Sequence, residues 1–374
     1  MFGLYIHIPF CESKCSYCGF YSTADKRRLG SYLKAVFNEA EARKAEKIDT
    51  LYIGGGTPSV FSAKEIVKFS DDLSGVYNFS HLKEATLEVN PEHIANCGDY
   101  LRILHEETPV TRVSMGVQSF NDNDLKFLGR IHNAQTAINA IEKILNADIE
   151  LSIDLIYGIP TLTNEIWKNN LQFLKQFGLN HFSAYSLTVE PNTAFAKRQI
   201  PLDEDTTLQQ YGILQEWCAA NNYEQYEISN YARAEHYALH NCNYWNLSPY
   251  IGLGAGAHSY SGFTACSQTK AARRWNINNI EQYISNPANS YEQEFLTETD
   301  TFHEYIMTAL RTKWGVQKSM LQKFSIPFQI HFNKISAPLL RNKTLTETEQ
   351  AYILAKNSIP LADAVAEMFF FNFA

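Results

Sequence analysis

The stretch Tyr5-Ile6-His7-Ile8-Pro9-Phe10-Cys11-Glu12-Ser13-Lys14-Cys15-Ser16-Tyr17-Cys18 decides how the rest of the chain reads. Its apolar start is a first β-strand, Pro9 stands directly before the loop, and three cysteines follow at the spacing C-x3-C-x2-C. Three thiolates this close on one loop suit a 4Fe–4S cluster: each cysteine ligates one iron, and the fourth iron stays open to a substrate or cofactor. With 7 cysteines in 374 residues, composition alone gives roughly 0.002 such spacings. The competing reading is a zinc site completed by His7. Zinc pairs usually sit in two separate knuckles, and no second knuckle follows.

Outward from that loop, short β-rich runs alternate with helical stretches up to about residue 190. The strands read as 3–8, 50–54, 84–89, 111–117, 150–156 and 181–187, the helices as 31–47, 62–77, 92–106, 133–147 and 163–177. Such alternation predicts a parallel sheet in an α/β fold, and six units predict a partial (β/α)6 barrel rather than a closed eight-stranded one. The pattern divides the chain into a partial barrel over 1–200, a barrel extension over 201–296 and a small C-terminal domain over 297–374. A helix near 205–221 opens the extension, and the C-terminal region is α+β, helical or winged-helix-like towards 345–374.

Distinctive polar residues fall at the strand C-terminal ends, the rim on which β/α barrels carry catalysis and binding. They are the cysteine loop, Gly54-Gly55-Gly56-Thr57-Pro58, Glu88, Gln118 with Ser119, Asp154, and Tyr185 to Thr188. Glycines at a strand end let backbone groups approach a ligand closely; no Gly-Lys-Ser/Thr follows, so this is not a phosphate loop. Glu88, in Glu88-Val89-Asn90-Pro91, suits a ribose diol, with helix capping as its competing role.

Composition narrows the function classes. Lys plus Arg number 32 against 40 acidic residues, a net charge of −8 with no basic run, which argues against nucleic acid. No uninterrupted apolar stretch reaches membrane-spanning length. Residues 1–10 lack a basic start and read as a strand rather than a signal peptide. Cys97, Cys218, Cys242 and Cys266 are scattered, which fits reduced thiols in a cytoplasmic protein.

The cysteine loop followed by Gly54-Gly55-Gly56-Thr57-Pro58 resembles a radical S-adenosylmethionine (SAM) enzyme. That resemblance implies that the open iron takes the amino and carboxylate groups of SAM, and that one electron cleaves its sulfonium to a 5′-deoxyadenosyl radical while the protein holds the parts in place. Tyr5 to Cys11, Ser114-Met115-Gly116-Val117-Gln118-Ser119-Phe120, Arg130-Ile131-His132 and Asp154-Leu155-Ile156-Tyr157-Gly158-Ile159-Pro160 resemble the oxygen-independent coproporphyrinogen III oxidase family. By this resemblance Tyr5, Gly55 and Glu88 contact the SAM on the cluster. Tyr17, Gly56, Thr57, Gln118, Arg130, Asp154 and Thr188 match a second SAM site, with His258 carried over beside them.

Two departures redirect the reading. The oxidases carry a fourth cysteine two residues after the third, where this chain has Phe20, and an extension ahead of the position of Tyr5. Both point away from decarboxylation of coproporphyrinogen III and towards the sister group, the radical SAM heme chaperones of the HemW family. That group carries a His-Asn-x-x-Tyr-Trp motif used in heme binding, here His240-Asn241-Cys242-Asn243-Tyr244-Trp245. An imidazole is a common axial ligand to heme iron, and flanking aromatics can pack on a porphyrin. Cys242 is the alternative ligand, and a structural histidine the competing role for His240. The resemblance thus implies a 4Fe–4S cluster on Cys11, Cys15 and Cys18, SAM on the barrel rim and heme at His240. Its implied partners are a heme-acceptor protein, met by peripheral contact where that acceptor is membrane-bound, and an electron donor for the cluster.

Overall fold

The computed structural model describes residues 1–45, 47–96, 98–262 and 271–371; Cys97 and Cys266 lie outside the described residues. Six strands run parallel in chain order: β1 (Gly3–Ile8), β2 (Thr50–Gly55), β3 (Glu84–Val89), β4 (Arg112–Gln118), β5 (Glu150–Tyr157) and β6 (His181–Ser186). Helices α1 (Leu29–Ala42), α2 (Ala63–Ser74), α3 (Pro91–Asn96), α4 (Tyr100–Glu107), α5 (Asp122–Leu128), α6 (Ala134–Leu145) and α7 (Asn164–Gln176) return the chain between them. Their starts carry local signals: a Ser62/Glu65 capping box opens α2, and Asn133 and Thr163 cap α6 and α7. The single helix expected over 92–106 is two, α3 and α4.

The strands explain both the curvature and the hollow. Leu51 and Ile53, Leu87 and Val89, Val113 and Met115, Ile153 and Leu155, and Phe182 and Ala184 are buried in the main core. The intervening positions are polar: Tyr52, Thr86 and Glu88, Arg112 and Ser114, Ser152 and Asp154, His181, Ser183 and Tyr185, and these line one cavity. Because side chains alternate faces along a strand, each strand turns an apolar set outwards and a polar set into the lumen.

Beyond β6 come α8 (Ala194–Arg198), α9 (Glu204–Ala220), β7 (Glu224–Gln225), β8 (Asn230–Ala232), α10 (Leu239–Trp245), β9 (Tyr250–Leu253), β10 (His258–Tyr260), β11 (Ala272–Asn276), α11 (Ile280–Ser285) and β12 (Tyr291–Phe295). The sheet order is β12-β11-β10-β9-β1-β2-β3-β4-β5-β6-β8-β7. The region after residue 200, read from sequence as a helix and a glycine-rich stretch, therefore supplies strands to both edges of the sheet. β9 pairs parallel with β1, and β8 pairs antiparallel with β6. Glu39 of α1 fixes the first junction. Fully buried, it accepts hydrogen bonds from Asn276 Nδ2 (2.9 Å), Tyr283 Oη (2.7 Å) and Gly254 N (3.0 Å), with Arg43 at 3.1 Å.

The C-terminal region packs on a second core of Phe302, Ile306, Phe328, Phe332 and Phe369, which it shares with Leu247, Tyr260 and Ala271 of the preceding segment. It comprises α12 (Glu298–Ala309), β13 (Val316–Gln317), α13 (Lys318–Leu321), α14 (Ile326–Arg341), β14 (Leu345–Glu347), β15 (Ala351–Leu354) and α15 (Ala362–Glu367). The three-stranded antiparallel sheet of this region is ordered β13-β15-β14. No helix among the described residues is long and apolar enough to cross a membrane.

Candidate functional site

The barrel lumen is a cavity of about 600 Å³ with the cysteine loop at its mouth. Backbone hydrogen bonds hold that loop against the barrel: Cys11 N to Thr23 O (2.9 Å), Ser16 N to Leu128 O (3.0 Å) and Phe195 N to Ser16 O (3.0 Å). Cys11, Cys15 and Cys18 are all half-buried and all line the cavity. Burial pushes the thiols of Cys11 and Cys18 above their ordinary range, and the Thr57 hydroxyl beside Cys11 counters part of the effect there. A metal centre would supply the positive charge that makes such thiols thiolates. The three thiols share one cavity mouth, the donor set that a cluster held by three cysteines would need.

The glycine turn lies against this loop. Gly56 N donates to Ile8 O and Thr57 N to Phe10 O, both at 2.7 Å. A Cβ on Gly56 would meet Phe10 O at 2.6 Å, so only glycine allows the approach, and Gly55 adopts a φ of +112°. Gly55 N donates to Glu88 Oε2 (2.9 Å) and Tyr52 Oη to Glu88 Oε1 (2.7 Å). Burial raises the Glu88 carboxyl, while these two donors pull it back.

Arg130 reaches across the mouth. Its Nη1 donates to Cys15 Sγ (3.3 Å), and its Nη2 to Asn90 Oδ1 (2.9 Å) and Gly116 O (2.8 Å). Asn90 Nδ2 in turn donates to Thr57 Oγ1 (3.1 Å). Gln118 ends β4 at a register shift with a φ of 69°, a left-handed strain of the kind that clusters at functional sites. Asp154 is pushed up to about 7, by burial and by the nearby Glu88 carboxylate. Thr188 is exposed at the rim and donates to Glu190 Oε1 (2.9 Å). Phe20, 70% exposed, stands at the mouth beside Cys18.

Every candidate residue lines this cavity except Tyr5, His240 and His258. The Tyr5 hydroxyl bonds His7 Nδ1 (2.8 Å), and His7 Nε2 bonds Tyr21 O (3.0 Å). Both nitrogens of His7 are thus engaged, and burial pushes the ring down to about 4, which leaves no arm for a zinc ion. His258 is exposed on β10, its ring stacked on Trp275 at 6.3 Å.

His240 lies at the other end of the barrel from the cysteines, on α10, against the strand beginnings. Its Nδ1 pairs with Thr50 Oγ1 (3.0 Å) and its Nε2 with Tyr244 Oη (2.9 Å). The ring is 1% exposed, and burial pushes it down to about 3. Both ring nitrogens of His240 are hydrogen-bonded within the chain, and Cys242, the alternative, is buried with its thiol pushed up to about 12.

Sequence reasoning missed Tyr52, Asn90, Arg112, Ser183 and Asn241, which also line the lumen. The polar alternation along β2 to β6 was the signal that would have found the strand residues among them. Asn90 stands two residues after Glu88 in Glu88-Val89-Asn90-Pro91, and that proximity to a rim residue was its signal.

The model of the Radical SAM superfamily matches residues 5–174. The heme chaperone HemW of Lactococcus lactis is 31% identical over 379 residues, covering 98% of this chain and 96% of its own. HemW of Bacillus subtilis is 30% identical over 383 residues, covering 98% of each chain. Among solved structures, the radical SAM enzyme coproporphyrinogen III oxidase (HemN) from Escherichia coli superposes with a TM-score of 0.82 over 98% of this chain and 89% of that one. At 21% identity that likeness speaks for the fold alone.

Proposed function

The chain belongs to the heme chaperone HemW family of the radical SAM superfamily, and from that premise we propose that it binds a 4Fe–4S cluster, SAM and heme and delivers heme to an acceptor protein. One observation carries the cofactor part: three cysteines, the glycine turn, Glu88, Arg130 and Asp154 converge on a single lumen. Cys11, Cys15 and Cys18 would hold the cluster at the mouth. A reduced cluster held there would supply the one electron needed for cleavage of the SAM sulfonium.

The chain's own residues orient the cofactor. Glu88, held by Tyr52 and Gly55 N, presents carboxylate oxygens to a diol. Arg130 neutralises thiolate charge at Cys15, and Asp154 and Gln118 supply acceptor and amide groups deeper in the lumen. Heme binding rests on family membership, with His240 of the His-Asn-x-x-Tyr-Trp motif as its ligand and Cys242 as the alternative. Oxidation of a porphyrinogen is the rival activity; Phe20 puts an exposed ring, not a thiol, at the mouth.

The test is anaerobic reconstitution followed by three measurements on one preparation: iron and sulfide content, heme titration with transfer to a heme-free cytochrome, and coproporphyrinogen III turnover. Cluster assembly, heme transfer and no turnover are expected. Turnover near 1 per second without heme transfer would replace this reading by the oxidase one.

A further inference from the structure

The segment whose motif resembles a heme-binding one closes the barrel from below. Both backbone donors at the start of α10 are held by one carboxylate: Leu239 N (3.0 Å) and His240 N (2.8 Å) bond Glu84, at the beginning of β3. Arg112, at the beginning of β4, pairs with Glu84 at 3.1 Å and donates to the carbonyls of His236 and Tyr237. Asn243 Nδ2 donates to Thr50 Oγ1 (2.8 Å), the same hydroxyl that meets His240. A helix tied to three strand ends by buried groups is a floor.

Tyr52 links that floor to Glu88, beside Asn241 and Tyr244 of the helix itself. The ring of Tyr52 packs on the His240 ring with centroids 5.2 Å apart, and its hydroxyl donates to Glu88 Oε1 at 2.7 Å. Tyr52 sits on β2 between Thr50, which holds His240, and Gly54, which enters the glycine turn. We propose that in this chain the His-Asn-x-x-Tyr-Trp helix acts as the barrel floor, and that Tyr52, seated on His240, is a positioning residue that sets the Glu88 carboxylate for SAM. The proposal rests on the reading that Glu88 receives the cofactor. Alternate placement of His240 would move the Tyr52 ring, and with it the donor on Glu88, because packed cores transmit displacement.

The test uses the full chain with its cluster reconstituted, and SAM as the probe. Tyr52→Phe removes one oxygen and keeps the ring on His240. SAM affinity should fall about tenfold at neutral pH, the scale of a hydrogen bond to a charged acceptor. Its pH profile should also move to higher pH, since the carboxylate loses a donor that favoured its ionised form. A merely structural defect would lower affinity equally at every pH. The other groups facing Glu88 are Tyr5, Asp154, Tyr185 and Tyr244, and all are retained. His240→Ala should weaken SAM binding as well. If that variant fails to assemble a cluster, Tyr52→Phe decides alone. Unchanged SAM affinity and pH profile in Tyr52→Phe would overturn the proposal, as would unchanged SAM affinity in a cluster-loaded His240→Ala. Glu88→Gln separates the two levels: if it binds SAM like the parent, the role of Glu88 itself has failed.

Discussion

Replacing Asp154 by Asn should make the cluster-free protein more stable, and only at neutral and alkaline pH. Asp154 sits inside the barrel with its carboxyl pushed up from 3.8 to about 7, mostly by burial and then by Glu88. The folded chain therefore keeps a proton that the unfolded chain has already released. Between pH 3.8 and about 7 the native state binds more protons, so stability falls as pH rises, and the penalty is complete above that window. At 1.36 kcal/mol per pH unit the ceiling is about 4 kcal/mol. The carboxylate faces a water-accessible lumen, which screens it, and about 2 kcal/mol is the expected effect. Asn keeps the shape and cannot ionise. Its advantage over the parent should be near zero at about pH 3 and grow to about 2 kcal/mol at pH 8, or a few degrees in melting temperature. Burial also depresses His7 and His240, and their loss of stability in acid is common to both proteins and cancels in the difference. Thermal melts of parent and variant across this range are the assay. A difference that stays flat with pH would refute the reasoning, since it would mean that Asp154 ionises as freely folded as unfolded.

Cys15→Ser should abolish iron and sulfide incorporation and the broad absorbance near 400 nm (roughly the charge-transfer region of such clusters), while far-ultraviolet circular dichroism is retained. Asn90→Ala removes the group that joins Arg130 to Thr57. With weaker hydrogen bonding at Cys11 and Cys15 the cluster should assemble normally but show a lower reduction potential in an electron paramagnetic resonance titration. Glu39→Ala leaves Arg43 without its buried partner and opens the α1–β9 junction, so it should cost about 3–5 kcal/mol in denaturant unfolding.

The amino-acid sequence by itself determined the six parallel strands, the partial barrel, and the identity of most rim residues. The reason is that these depend on local order. Hydrophobic runs broken by polar strand ends, glycines at a turn and three cysteines on one loop act within a few residues of themselves, so their spacing survives in one dimension. β9 to β12 were illegible because their runs are short or exposed and are stabilised by pairing with one another and, through β9, with β1, some 250 residues away. His240 shows the limit most sharply. Its neighbours in sequence suit a metal ligand, but Thr50, Tyr52 and Glu84 come from distant strands. Its burial among them, and the hydrogen bonds that both ring nitrogens make, cannot be read from the motif. Whether an imidazole is free or spent is decided by what surrounds it, and only the tertiary structure brings those surroundings together.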